Sequence, residues 1–93
     1  MSDTPSGCLK LSGPLTLAEV GGLLDDGRAQ IAQGLQVLDL SAVTQVDSAA
    51  LALLLAWLRS AREAGRSFSI VGAPPALQSL ASLYDVDSIL PLA

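Results

Sequence analysis

Three short apolar runs, Cys8–Ser12, Leu35–Leu40 and Ser67–Val71, are each followed by a stretch with helical spacing. This alternation constrains the fold more than any other feature of the chain. A helix between two strands brings the second strand back alongside the first in the same direction, which gives an α/β domain with a partly parallel sheet. Cys8–Ser12 alternates in polarity and is closed by Gly13-Pro14. Pro14–Leu17 reads either as a second short strand on an antiparallel edge or as the lead into a helix. Leu35–Leu40 is almost continuously apolar, the pattern of a central strand covered on both faces. Ser41–Gln45 reads as a polar loop.

The helices carry their own punctuation. Thr16-Leu17-Ala18-Glu19 fits a capping box, and Leu17, Val20, Leu24 and Ile31 follow as an apolar stripe. Gly21, Gly22 and Gly27 each cost about 1 kcal/mol relative to alanine inside a helix, so packing must hold this one together. Gly34 is its stop. A second helix starts at Asp47-Ser48, runs to about Ala64 and stops at Gly65, with Arg59, Arg62 and Arg66 at its carbonyl end. A third opens at Pro74-Pro75, with Leu77, Leu80, Ala81 and Tyr84 as its buried stripe. Beyond it, Ile89-Leu90 is expected to pack back on the core.

Composition narrows the function. The 93 residues suffice for one domain, read as a flexible lead over 1–7 and a single unit over 8–93. With no histidine and one cysteine, Cys8, the chain cannot build a Cys/His zinc site, a disulfide framework or a histidine-activated nucleophile. Its formal net charge of −4 opposes binding to nucleic acid or to anionic lipid. Ala49–Leu58, the longest apolar stretch, is about half of the roughly 20 residues that a spanning helix needs. The start carries no secretory pattern, so the expected location is cytoplasmic, without membrane insertion. Gly21-Gly22 lies in a helical pattern and no Gly-Lys-Ser/Thr follows, so no phosphate loop and no cofactor are expected. Asp39, Asp47 and Ser48 could in principle hold Mg²⁺, but two carboxylates beside a cap read as structural. Apolar residues make up 51% of the chain, and a domain this small buries only about 60–70% of its unfolded surface. Exposed apolar surface follows, and with it a partner.

The Ser48–Ala64 helix says where. At 100° per residue Leu51, Leu54, Leu55 and Leu58 share a face, widened by Ala50, Trp57 and Ala61. The opposite arc holds Ser48, Ala49, Ala52, Ala56, Arg59, Ser60 and Glu63. Its N-terminal half is paved with small side chains, which let another protein approach the backbone closely. Asp47-Ser48 is by spacing an ordinary cap. A phosphate on Ser48 would be favoured by the helix dipole and opposed by Asp47.

The segment Leu38-Asp39-Leu40-Ser41-Ala42-Val43-Thr44-Gln45-Val46-Asp47-Ser48-Ala49-Ala50-Leu51 resembles the central signature of STAS domains, a family that includes the anti-sigma factor antagonists. Ala52–Leu55 and Leu80–Val86 look more like the MlaB branch, the small cytosolic subunits of the bacterial lipid-asymmetry ABC transporter. The resemblance runs over about residues 9 to 92. It implies an α/β fold, a small mixed sheet of about four strands with about three helices on one side. It also implies a non-enzymatic protein whose helix tip, Asp47, Ser48, Ala49, Ala52, Ala56 and Arg59, meets a partner. In the transporter branch that partner is the ATPase subunit, which would hold the chain at the inner face of the inner membrane. The small subunit there supports assembly and activity of a complex that moves phospholipid. In the antagonists the hydroxyl matching Ser48 is phosphorylated by an anti-sigma factor kinase, and Asp39 and Asp47 match the flanking acidic positions. Family members commonly carry glycine where this chain has Ala49 and Ala50; the added methyls stiffen the helix start and restrict a kinase's reach. The short stretch after the third helix reads as the compact transporter branch.

Overall fold

A computed structural model describes residues 7–91; of the expected flexible lead over 1–7, all but Gly7 lies outside them. The elements are β1 (Cys8–Leu15), α1 (Leu17–Ala32), β2 (Val37–Val46), α2 (Ser48–Glu63), β3 (Ser69–Val71) and α3 (Pro75–Leu83). Among the described residues the sheet has three strands in the order β1-β2-β3, and both pairings are parallel. The antiparallel edge and fourth strand expected from the sequence are not among them. Pro14–Leu15 instead completes β1, and the strand passes through Gly13-Pro14 without ending. Register shifts on either side of Ser12–Gly13 absorb the two residues, with Gly13 at φ +76°. An edge strand tolerates proline because that N–H has no ladder partner to serve.

Ser41–Gln45 is likewise strand and not loop. It lies in β2, with Ala42, Val43 and Gln45 paired to Ser12, Gly13 and Pro14, and Val43 is buried. Its polar side chains are exposed, while pairing with β1 satisfies its backbone groups.

The sheet is covered on one face. Leu9, Leu38 and Ile70 form a row across it, and Leu38 and Ile70 are fully buried under the helices. The neighbouring rows, Cys8–Val37–Ser69 and Lys10–Asp39–Val71, point the other way and are half-buried or exposed. β2 was expected to be covered on both faces. It is dense in apolar residues, yet only Leu38, Leu40 and Val43 are buried in it.

All three helices end alike. Leu35 N–H donates to Gln30 O, Arg66 N–H to Ala61 O and Val86 N–H to Ala81 O, at 2.8–3.0 Å. Each closure requires one residue with positive φ: Gly34, Gly65 and Asp85. After α3 the chain turns back. Leu90 is buried, Ile89 is exposed, and Pro91 O accepts from Ile70 N–H on the free edge of β3 (2.9 Å).

α1 and α2 are joined through Trp57. Its indole is fully buried, and Nε1–H donates to Leu24 O (3.0 Å). The ring packs directly against Gly27, where an added Cβ would clash with Cε2, Cζ2 and Nε1. Gly27 is therefore a packing requirement of α1, unlike Gly21 and Gly22, which meet nothing. Trp57 has no surface left for a partner.

Candidate functional site

The α2 tip is built around one carboxylate. Asp47 has extended backbone angles, and its Oδ1 accepts from Ala49 N–H at 2.9 Å as the helix cap. Its Oδ2 accepts from Leu17 N–H at 3.1 Å, across thirty residues of sequence. Asp47 thus ties together the N-termini of α1 and α2. Beside it, the Glu19 carboxylate accepts from the Thr16 hydroxyl (2.5 Å) and the Thr16 backbone N–H (2.9 Å), which is the backward-reaching half of the expected box.

These bonds hold Glu19 below the usual carboxylate range, chiefly through the Thr16 hydroxyl. Asp39 is lowered too, because its carboxylate accepts from Ser41 N–H (2.9 Å). A carboxylate with a depressed folded-state pKa lends stability at neutral pH that is lost as pH falls through the folded value. Stability should therefore decline below about pH 5, and the decline should be shallower in the double variant Glu19→Gln/Asp39→Asn. Urea midpoints measured across that range check this; parallel curves would count against it.

Two apolar depressions flank the α2 tip. One, of about 530 Å³, runs between α1 and α2; Leu17, Val20, Gly21 and Leu24 form one wall, and Asp47, Ser48, Ala49, Ala52, Leu53 and Ala56 the other. The second, of about 400 Å³, lies between Ser48, Leu51, Ala52, Leu55 and the turn carrying Tyr84 and Val86. Ser48 and Ala52, both exposed, form the ridge between them. Leu17 is 75% exposed at one rim, and Tyr84 is 55% exposed at the other, next to Leu83 at 75%.

Asp47, Ser48, Ala49, Ala52 and Ala56 therefore come together on one groove wall. Arg59 does not line it; it lies three residues past Ala56, one turn beyond the groove's far end and eleven residues along α2 from Ser48. Asp39 is farther away, eight residues back along β2 from Asp47, roughly 25 Å at 3.3 Å per residue. Its carboxylate serves Ser41 and does not flank Ser48.

Several residues were misassigned by periodicity. Leu17 and Tyr84 were placed in buried stripes, yet both are exposed at rims of the site. Leu55 and Leu58 are only half-buried, whereas Leu53 is buried. The buried face of α2 is centred on Ala50, Leu54, Trp57 and Ala61, turned away from the all-leucine face because Trp57 must reach Gly27. Among the described residues no group of three His, Cys, Asp or Glu side chains could hold a metal ion. No described helix is long and apolar enough to cross a membrane.

A parallel sheet backed by helices, with a hydroxyl exposed at the tip of the second helix, defines a STAS domain. The family model described as Mlab, STAS domain matches residues 2–91, and the chain belongs to that family. No curated protein matches the sequence. Among solved structures, the unphosphorylated form of the anti-sigma factor antagonist SpoIIAA superposes with a TM-score of 0.67 at 15% identity, over 88% of this chain and 79% of that one. A Thermotoga maritima protein assigned as a candidate anti-sigma factor antagonist gives a TM-score of 0.76 at 19% identity, over 95% of this chain and 80% of that one. At these identities the likeness is one of fold.

Proposed function

We propose that this chain is a non-enzymatic accessory subunit that docks through the Ser48–Ala52 ridge onto the ATPase subunit of a phospholipid-transporting ABC complex, the kind that maintains outer-membrane lipid asymmetry. The carrying observation is the ridge itself: small exposed side chains on a rigid helix start, between two apolar depressions with leucine and tyrosine at their rims. A patch of that kind loses free energy when left in water and gains it when another protein covers it. The family match supports this choice of partner. The mechanism is mass action. Binding one conformation of the ATPase stabilises that conformation, and no bond in this chain is made or broken. The chain would then sit at the cytoplasmic face of the inner membrane through its partner.

Ser48→Arg or Ala52→Arg should abolish co-purification with the ATPase subunit while circular dichroism and melting temperature stay close to wild type. Both side chains point into solvent, so the fold does not depend on them. Normal binding by both variants would place the interface elsewhere.

A second reading is an anti-sigma factor antagonist switched by phosphorylation of Ser48. The exposure of Ser48 in the first turn of α2 favours it, since a kinase could reach the hydroxyl. Asp47 weighs against it: that carboxylate already occupies the Ala49 and Leu17 N–H groups that a phosphate would seek. Incubation with an anti-sigma factor kinase separates the readings, because only the second gives a phosphorylated product, with binding lost in Ser48→Asp.

A further inference from the structure

The described charges are segregated. No basic side chain lies at the ridge end: Arg28 and Arg59 stand one helical turn beyond Leu24 and Ala56, at the far end of the larger depression, Arg62 and Arg66 lie farther on, and Lys10 is on the open sheet face. Arg28 and Arg59 are each eleven residues from their helix starts, roughly 16 Å. At the ridge end the ionised groups are acidic: Asp47 lines the larger depression, Glu19 a neighbouring hollow beside β1, and Asp85 and Asp87 are the chain neighbours of Val86, which lines the second depression. Glu19 and Asp47 sit on helix N-termini, where about half a positive charge per helix offsets them. Asp85 and Asp87 have no such offset. They are exposed on either side of Val86, which lines the second depression, in the turn after α3, where the helix dipole adds to their negative potential. Among the described residues, neither has a basic side chain within ion-pair distance.

We propose that the face around Ser48 takes a protein surface that is apolar at its centre and carries lysine or arginine on the side that meets Asp85 and Asp87. This rests on the docking reading above and specifies the chemistry of the partner. The apolar depressions supply the buried area, and the acidic turn beside Tyr84 sets orientation and speeds encounter. Rim charges act mainly on the association rate and on its salt dependence.

The test is the association rate of the full chain with the ABC ATPase subunit, measured from low to high salt. The variant is Asp85→Asn/Asp87→Asn; asparagine tolerates the left-handed backbone at position 85, so the turn is kept. The expected result is an association rate about fivefold lower at low salt, with most of the salt dependence gone. The control Arg62→Gln/Arg66→Gln should stay within about twofold of wild type. An unchanged rate and salt slope in the aspartate variant, while Ala52→Arg still abolishes binding, would overturn the basic rim and leave the docking face standing. Normal binding by Ala52→Arg, or no binding by wild type, would overturn both.

Discussion

Replacing Gly27 with alanine should destabilise the chain by about 3 kcal/mol, near the top of the range for overpacked cores. Helix propensity alone argues the opposite, since alanine in mid-helix gains about 1 kcal/mol over glycine. The tertiary contact decides the sign. The new methyl would fall on the Cε2, Cζ2 and Nε1 atoms of Trp57, which is fully buried and cannot retreat into solvent. The indole must shift, its bond to Leu24 O is broken, and α1 must lift from α2. For a domain of this size the melting temperature should fall by about 15 °C. Adding Trp57→Leu should recover part of the loss, giving a coupling energy above about 1 kcal/mol in a double-mutant cycle. A melting temperature of Gly27→Ala at or above wild type would refute this packing account.

Asp47→Ala should cost about 2 kcal/mol, because a single truncation removes the cap of α2 and the acceptor of one first-turn N–H of α1. Ala49 N–H and Leu17 N–H both lose their acceptor. Asp47→Asn divides the effect. Its amide oxygen can still cap Ala49, but its NH₂ faces another donor at Leu17, so about half the loss should remain. Urea midpoints give the totals, and amide exchange at the two positions assigns them. Leu17 should exchange faster in both variants, Ala49 only in Asp47→Ala. Equal protection of Leu17 in all three proteins would show that the carboxylate does not tie the helix tips together.

Much of this was legible from residue types. Thr16–Glu19, Asp47, Pro75, Gly34 and Gly65 act within a few residues of themselves, so their caps, starts and stops follow from local chemistry. The Ser48–Ala52 surface was legible for a related reason: a run of serine and alanine opposite a leucine-rich face can hardly be core. Asp85 shows where that legibility ended. It performs at α3 the task that glycine performs at α1 and α2, in a left-handed conformation that its sequence neighbours do not announce.

What failed did so at long range. Ser41–Gln45 looked like a loop because its polarity is local, while its hydrogen-bond partners on β1 are about thirty residues away. Leu17 and Tyr84 have the spacing of buried residues, but burial depends on which neighbour arrives, and none covers them. The sequence alone determined the order of the elements, the ends of the helices and the small-residue character of the α2 tip, because backbone capping and periodicity are settled within one or two turns. Only the tertiary structure decided that Gly27 is irreplaceable, that Asp47 serves two helices and that the ridge lies between two apolar hollows. Each of these depends on α1, α2 and the turn after α3 meeting in space, and sheet pairing fixes that geometry across distances that no local pattern encodes.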